Sequence, residues 1–306
     1  MLLLLPKQPK QISQLVFIFG VGLIGLPIAR FLQQMGFIVE QLDLCWDDYE
    51  LQAHQLEGLQ QRVKEVIQDS RIDQLSIIWS AGRAGFDSSE EQTDRELISF
   101  LAVLDMVEVL TESYSDMSVD FHMLSSVGGL FEGQRQIDST SSPKPLRPYG
   151  LLKMRQEDAL FARGSIEKKF VYRLTSVFGI GPLGTRHGLV STLLRNTSDR
   201  QVTHIVGRMS SLRDFIWNAD VARYIALRLR YLQSNAETIQ TLASGKPSSI
   251  QEVIRIVESA TGKRGYLRFV SELTNELDIT VSPSLSPEGW FPTGLKTAIL
   301  TLTATD

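Results

Sequence analysis

Tyr149-Gly150-Leu151-Leu152-Lys153 places a phenol and an ammonium four residues apart, on one face of any helix that carries them. A free phenol, with a pKa of about 10, holds its proton too tightly to act as a base at neutral pH. An ammonium about 4 Å away favours the phenolate by about 4 kcal/mol at an effective dielectric of about 20, before burial pushes back. The pair suits acid–base chemistry near neutrality; the plain alternative is a solvated helix face. Leu124-Ser125-Ser126-Val127-Gly128-Gly129 closes an apolar run that reads as a strand, leaving Ser125 and Ser126 at its C-terminal end. Open α/β sheets bind ligands along that edge. A hydroxyl there can hydrogen-bond a reacting carbonyl or alcohol, or simply cap a turn. No Gly-x-Ser-x-Gly elbow accompanies it, so a hydrolase serine has little support.

Gly20-Val21-Gly22-Leu23-Ile24-Gly25 follows the apolar run Leu15-Val16-Phe17-Ile18-Phe19 and precedes the helical pattern of 26–32. Such a turn lets the backbone approach a pyrophosphate, which then rests on the helix N-terminus. Gly20, Gly22, Leu23, Ile24 and Gly25 are therefore cofactor-binding candidates, the alternative being a tight turn without a ligand. The next strand pattern, 37–43, ends at Asp43, 18 residues after Gly25. A carboxylate there can accept hydrogen bonds from the adenosine ribose. It would also repel a 2′-phosphate, and Leu44, Cys45 and Trp46 supply no arginine to receive one. The pattern favours NAD over NADP.

These residues need a scaffold of strands alternating with helices. Strand patterns fall at 75–79, 119–124 and 170–174; helical ones fall at 57–69, 90–113 and 149–163. The alternation predicts a parallel sheet covered on both faces. Residues 132–148 form a polar loop. Beyond 176 the rhythm loosens into helices near 187–197, 219–233 and 249–261, short strands, and a Pro-rich tail over 283–292. Residues 1–13 read as a leader ahead of the first strand, too short for a signal sequence.

The chain has 306 residues, 43% of them hydrophobic, with 31 basic and 35 acidic side chains, four His and one Cys. That length allows about two domains or one large one. One cysteine excludes a disulfide framework and Cys-based metal sites, and points to a reducing, cytoplasmic setting. The slightly acidic balance argues against nucleic-acid or membrane binding. His54, His122, His187 and His204 have no metal-ligand spacing. No metal is expected, and His122 reads as packed within its strand.

The order of motifs resembles the extended short-chain dehydrogenase/reductase superfamily, in its branch of NAD-dependent nucleotide-sugar epimerases and dehydratases. The similarity runs over nearly the whole chain. Ser80-Ala81-Gly82 takes the place of that family's His-x-Ala-Ala strand end beside the cofactor. Arg173-Leu174-Thr175-Ser176-Val177-Phe178-Gly179 is similar to its R-x-x-N-V-Y-G segment. Arg213-Asp214-Phe215-Ile216-Trp217 with Asp220-Val221-Ala222 is similar to its R-D-F-I stretch, and Gly289-Trp290-Phe291-Pro292 to its G-W-x-P. Phe19, Trp79, Leu130 and Ser176 stand where the family usually has glycine, histidine, tyrosine and asparagine. Ser126-Val127-Gly128 stands where its 4,6-dehydratases carry Thr-Asp-Glu, so dehydration lacks its acid pair.

The resemblance implies an α/β fold: a Rossmann-type doubly wound parallel sheet with a smaller mixed C-terminal substrate domain. The expected division is 1–175 for NAD and 176–306 for substrate, partly interleaved. It implies an NAD-dependent epimerase acting on a nucleotide-activated sugar by reversible hydride transfer. Tyr149 is then the acid/base, Ser126 orients the reacting oxygen with help from Ser125, and Lys153 holds the nicotinamide ribose. Ser80, Ala81, Gly82, Tyr149 and Lys153 would contact the cofactor; Ser125, Ser126, Ser176 and Arg213 would contact substrate, Arg213 at its diphosphate. A homodimer through the two long helices also follows from the resemblance. The alternatives are an NAD(P)H-dependent keto-sugar reductase, another alcohol dehydrogenase, or an NAD-binding regulatory protein with a vestigial site.

Overall fold

The computed structural model describes residues 2–6, 14–41, 45–46, 48–69, 74–114, 116–182, 184, 188–231, 237–270 and 277–304. In the N-terminal half the elements are β1 (Leu2–Pro6), β2 (Gln14–Phe19), α1 (Gly25–Gln34), β3 (Phe37–Gln41), α2 (Tyr49–Asp69), β4 (Gln74–Trp79) and α3 (Glu90–Ser113). They continue with β5 (Ser118–Ser126), α4 (Val127–Leu130), α5 (Pro148–Phe161) and β6 (Lys168–Leu174). The remainder holds β7 (Ser176–Phe178), α6 (Leu189–Asp199), β8 (Val202–Val206), β9 (Leu212–Arg213), β10 (Phe215–Trp217) and α7 (Asn218–Tyr231). Last come β11 (Glu237–Leu242), β12 (Ser248–Ser249), α8 (Ile250–Thr261), β13 (Tyr266–Val270) and α9 (Leu295–Ala304).

The main sheet has the order β11-β6-β5-β4-β2-β1-β3. The five strands from β11 to β2 are mutually parallel. Alternate residues of each strand face opposite sides, and both sides are apolar. Phe17 and Phe19 of β2, with Leu75, Ile77 and Trp79 of β4, pack under α2, α3 and α5. Val16, Ile18 and Ile78 pack under α1 and α7 against Ile28, Leu32, Val221 and Ile225. A sheet buried on both faces is what near-continuous apolar strands require. Ser89 starts α3 with a reciprocal capping box to Gln92.

The leader expected over 1–13 is corrected in part. Leu2–Pro6 is a strand, antiparallel to β2 on one side and to β3 on the other. A run of apolar residues with no alternation carries no period for or against a strand, so the sequence pattern was silent there. The helix expected at 57–69 begins at Tyr49, where the Asp48 carboxylate accepts from the Leu51 N–H at 3.0 Å. Its first turn exposes Tyr49 and Leu51 and buries Gln52, which inverts the apolar stripe. The C-terminal helix α9 was not anticipated; it packs Ala298, Ile299 and Leu302 into a second core with Phe178, Leu193, Phe215 and Val253. β11 returns the chain to the main sheet beside β6, and α7 covers that sheet. Three two-stranded sheets, β10–β7, β12–β9 and β13–β8, complete the C-terminal part. No helix among the described residues is long and apolar enough to cross a membrane.

Candidate active site

β2 delivers the chain into the glycine turn, and each glycine has a different local reason. Gly20 has φ +85°, and a Cβ on it would lie 2.3 Å from the Ala81 Cα. The turn therefore rests directly on the backbone leaving β4. A Cβ on Gly25 would lie 2.0 Å from the Gly20 carbonyl oxygen. The Ser80 hydroxyl donates to the Phe19 and Gly20 carbonyls, so Ser80 fastens the turn from below. Gly22 differs, because beyond its own chain neighbours no heavy atom of the described residues lies within 4 Å of the position its Cβ would take. α1 has no side-chain cap and no acid in its first turn. An uncapped helix N-terminus beside an open glycine is a seat for an anion. Asp43 lies outside the described residues, as does His187.

Ser126, Tyr149, Ser176 and Arg213 line one cavity of about 880 Å³ beyond the C-terminal ends of β5 and β6. Ser126 ends β5 and its hydroxyl accepts from the Gly129 N–H at 3.1 Å, capping α4. Tyr149 sits in the first turn of α5, after Pro148 at the helix start. Its ring meets Phe86 edge-on at 5.8 Å between centroids. Two glycines bring these parts together: a Cβ on Gly129 would be 3.1 Å from the Tyr149 ring, and one on Gly150 would be 2.1 Å from the Gly129 carbonyl oxygen. The Lys153 Nζ lies 5.8 Å from the centre of the Tyr149 ring, on the same helix face as the spacing of four requires.

Ser125 is not brought to the cavity. β5 runs through Ser126, and successive strand residues point to opposite faces. The Ser125 hydroxyl donates to Glu157 at 2.5 Å, within a buried pair that Glu157 forms with Arg173 at 2.6 Å. Lys153 is also more committed than a bare Tyr-x-x-x-Lys motif implies: its ammonium is paired with Glu96 at 3.3 Å and donates to Gln156 at 2.9 Å. Gly82, at φ +153°, leaves room for that Glu96 carboxylate. Trp290 of the Gly-Trp-Phe-Pro segment is a core residue whose indole N–H donates to the Ala243 carbonyl at 2.7 Å.

Arg147 and Arg213 line the cavity together with Asp87, Glu132 and Asp214. Arg213 donates to the Leu212 and Leu277 carbonyls. Burial pushes its guanidinium below the usual arginine range, opposed by Asp278 and Glu132. Arg147, just before Pro148, grips Glu132 with Nη2 2.8 Å from Oε1 and lies 5.0 Å over the Phe86 ring. Burial raises the Asp214 carboxyl above its ordinary value, although Thr175 and Ser244 hydrogen-bond it at 2.7–2.9 Å. Sequence reasoning missed Arg147, Glu132 and Phe86, whose spacing carries no recognisable period.

It also missed Asn218, whose buried amide donates to the Leu23 carbonyl at 2.7 Å and the Ile180 carbonyl at 2.8 Å. The glycine turn is thereby latched to the segment after β7. Gly179 has φ +146° and no room for a Cβ, which would lie 1.9 Å from the Asn218 Oδ1. Asn218→Ala strands both carbonyls, and we expect a loss of about 2 kcal/mol in urea unfolding. A variant within about 0.5 kcal/mol of the wild type, the size of ordinary surface effects, would remove the latch from the account.

The model of the NAD dependent epimerase/dehydratase family matches residues 16–240. The chain belongs to that family. Among curated proteins, dTDP-4-dehydro-6-deoxyglucose reductase of Escherichia coli is 24% identical over 151 residues. The match spans about half of each chain, 47% of this one and 47% of the reductase. Among solved structures, MoeE5 in complex with UDP-glucuronic acid and NAD superposes with a TM-score of 0.75 at 20% identity, covering 94% of this chain and 97% of that one. UDP-glucose 4-epimerase of Thermus thermophilus, complexed with NAD, gives a TM-score of 0.71 at 21% identity, with 94% and 97% covered. At these identities the structural likeness establishes the fold: a Rossmann-type α/β sheet, as the motif order implied. In this epimerase/dehydratase family member, the cavity and the glycine turn meet the same sheet edge.

Proposed function

We propose that the chain is an NAD-dependent epimerase of a nucleotide-activated sugar. The observation that carries this is the convergence of Ser126, Tyr149 and Arg213 on one cavity of about 880 Å³, whose size suits a ligand larger than a simple alcohol. The glycine turn fits the cofactor: Gly22 faces open space and the α1 N-terminus is uncapped. NAD, when bound, supplies the hydride acceptor and donor. Gly20 to Gly25 would seat its pyrophosphate, with Ala81 and Gly82 also contacting the dinucleotide, Lys153 at the nicotinamide ribose and Asp43 at the adenosine ribose. Tyr149 takes the sugar hydroxyl proton as that carbon is oxidised and returns it on reduction. Ser126 orients the oxygen. Arg213, whose planar fork suits a diphosphate, holds the nucleotide end, with Ser176 nearby.

Residues 1–175 are read as the cofactor part and 176–306 as the substrate part, with β11 and α7 returned to the first. A second copy would dock on α3 and α5, where Ile98, Val109 and Leu151 are exposed, and the setting is cytoplasmic. A keto-sugar reductase is the second reading, favoured by the half-length match to a reductase. Mass spectrometry of small molecules released from the purified protein separates the two. An epimerase recycles its NAD and is expected to release NAD, with or without a nucleotide-sugar. Protein free of dinucleotide that consumes NADH stoichiometrically with a keto-sugar is a reductase.

A further inference from the structure

We infer that Glu96 is the positioning residue for Lys153, holding its ammonium in register with the backbone segment after β4; this rests on the assignment of Lys153 and that segment to the dinucleotide. Glu96 lies on α3, away from every motif in the sequence. One of its carboxylate oxygens takes the Lys153 ammonium at 3.3 Å, and the other accepts the backbone N–H groups of Arg83 and Ala84, each at 3.0 Å. Gln156 closes the group: its Oε1 accepts from Lys153 at 2.9 Å and its Nε2 donates to Glu96 at 3.5 Å. The side chains of Lys153 and Glu96 are only 7% and 9% exposed, and Gln156 is fully buried.

Three features of this group go beyond packing. A buried ion pair is a poor device for stability alone, since apolar residues of similar volume do as well or better. Lysine has a flexible stem and a point charge, so without a partner its ammonium samples many positions. Glu96 and Gln156 together hold it 5.8 Å from the Tyr149 ring centre, taking two of its three N–H groups among the described residues. The same carboxylate also sets the backbone at Arg83 and Ala84, two residues on from Ala81, on which the glycine turn rests. Glu96 thus ties the lysine to the loop that the dinucleotide would touch.

A double-mutant cycle on the full chain tests this, with NADH affinity read by fluorescence titration and the unfolding temperature of each cofactor-free variant measured alongside. Glu96→Gln keeps the shape and the acceptor for Arg83 and Ala84 but not the charge. We expect it to weaken NADH binding about tenfold, the size of coupling found within one buried polar network. In a Lys153→Met background the same change is expected to alter affinity less than about twofold, because the group it positions is gone. Glu96→Asp, which keeps the charge but draws the carboxylate back by one methylene, is expected to lose affinity with the same dependence on Lys153. Losses that multiply in the double variant, or Glu96→Gln affinity equal to wild type, would overturn the role of Glu96. Wild-type protein that binds no NADH would overturn the cofactor assignment beneath it as well.

Discussion

Tyr149→Phe is expected to lower turnover by about 10²- to 10⁴-fold, the usual contribution of a general acid–base group, while dinucleotide binding and the unfolding temperature stay at wild-type values. The separation follows from how the residue is held. Its ring is located by the edge contact with Phe86 at 5.8 Å and by the close approach of Gly129, and neither depends on the hydroxyl. Tyr149 lines the cavity, where the proposed mechanism has its hydroxyl meet the sugar. Removing one oxygen should therefore cost chemistry and little else. Steady-state turnover with a nucleotide-sugar, alongside NADH titration and thermal unfolding, measures all three quantities. Turnover unchanged in this variant would falsify the acid–base role and leave the fold untouched. Ser126→Ala is a less clean probe, because its hydroxyl also caps α4.

The second large effect separates two glycines of one turn. Gly25→Ala forces a methyl group to within 2.0 Å of the Gly20 carbonyl oxygen, a backbone atom that no side-chain rotation can clear. The turn must open, at a cost of about 3 kcal/mol or more, and we expect both the unfolding temperature and dinucleotide binding to fall. Gly22→Ala meets nothing within 4 Å among the described residues beyond its own chain neighbours and should fold as the wild type does. Its methyl would project into the open side of the turn, where the backbone is expected to meet a pyrophosphate, and affinity for NADH should drop by about tenfold or more. If Gly22→Ala binds NADH as tightly as wild type, the open side of the turn is not where the dinucleotide sits. The pair of variants thus distinguishes a glycine required by the fold from one required by a ligand.

Ser125 and Ser126 show where local pattern stops being informative. Adjacent in sequence at one strand end, both were expected at the substrate, Ser126 orienting the oxygen and Ser125 helping. Because β5 continues through both, the pleat sends one hydroxyl to Glu157 and leaves the other at the cavity. Alternation was available as a rule, but applying it needed the strand's last residue, and strand ends are the least legible part of a sequence. Gln52 is a similar case. It is polar and buried, its amide donating to the Cys45 carbonyl at 3.0 Å and to Ser99 at 3.2 Å, and an apolar-stripe search starts the helix too late because of it.

The parts legible in the residues alone are those whose chemistry is local. These are a strand, a glycine turn and a helix in immediate succession, a phenol and an ammonium four residues apart, and alternating strands and helices with both faces apolar. Each follows from backbone sterics or helical and pleated periods within about 20 residues, the reach of such rules. Which distant side chains close around them was set by the folded arrangement. Glu96 reaches Lys153 across 57 residues, Asn218 reaches Leu23 across 195, and the Thr280 hydroxyl accepts from the Gln136 N–H across 144. Such contacts have no period. They arise because a buried charge or amide must find a partner, and which partner lies within reach is known only once the sheet has set α3 against α5 on one face and α7 against α1 on the other.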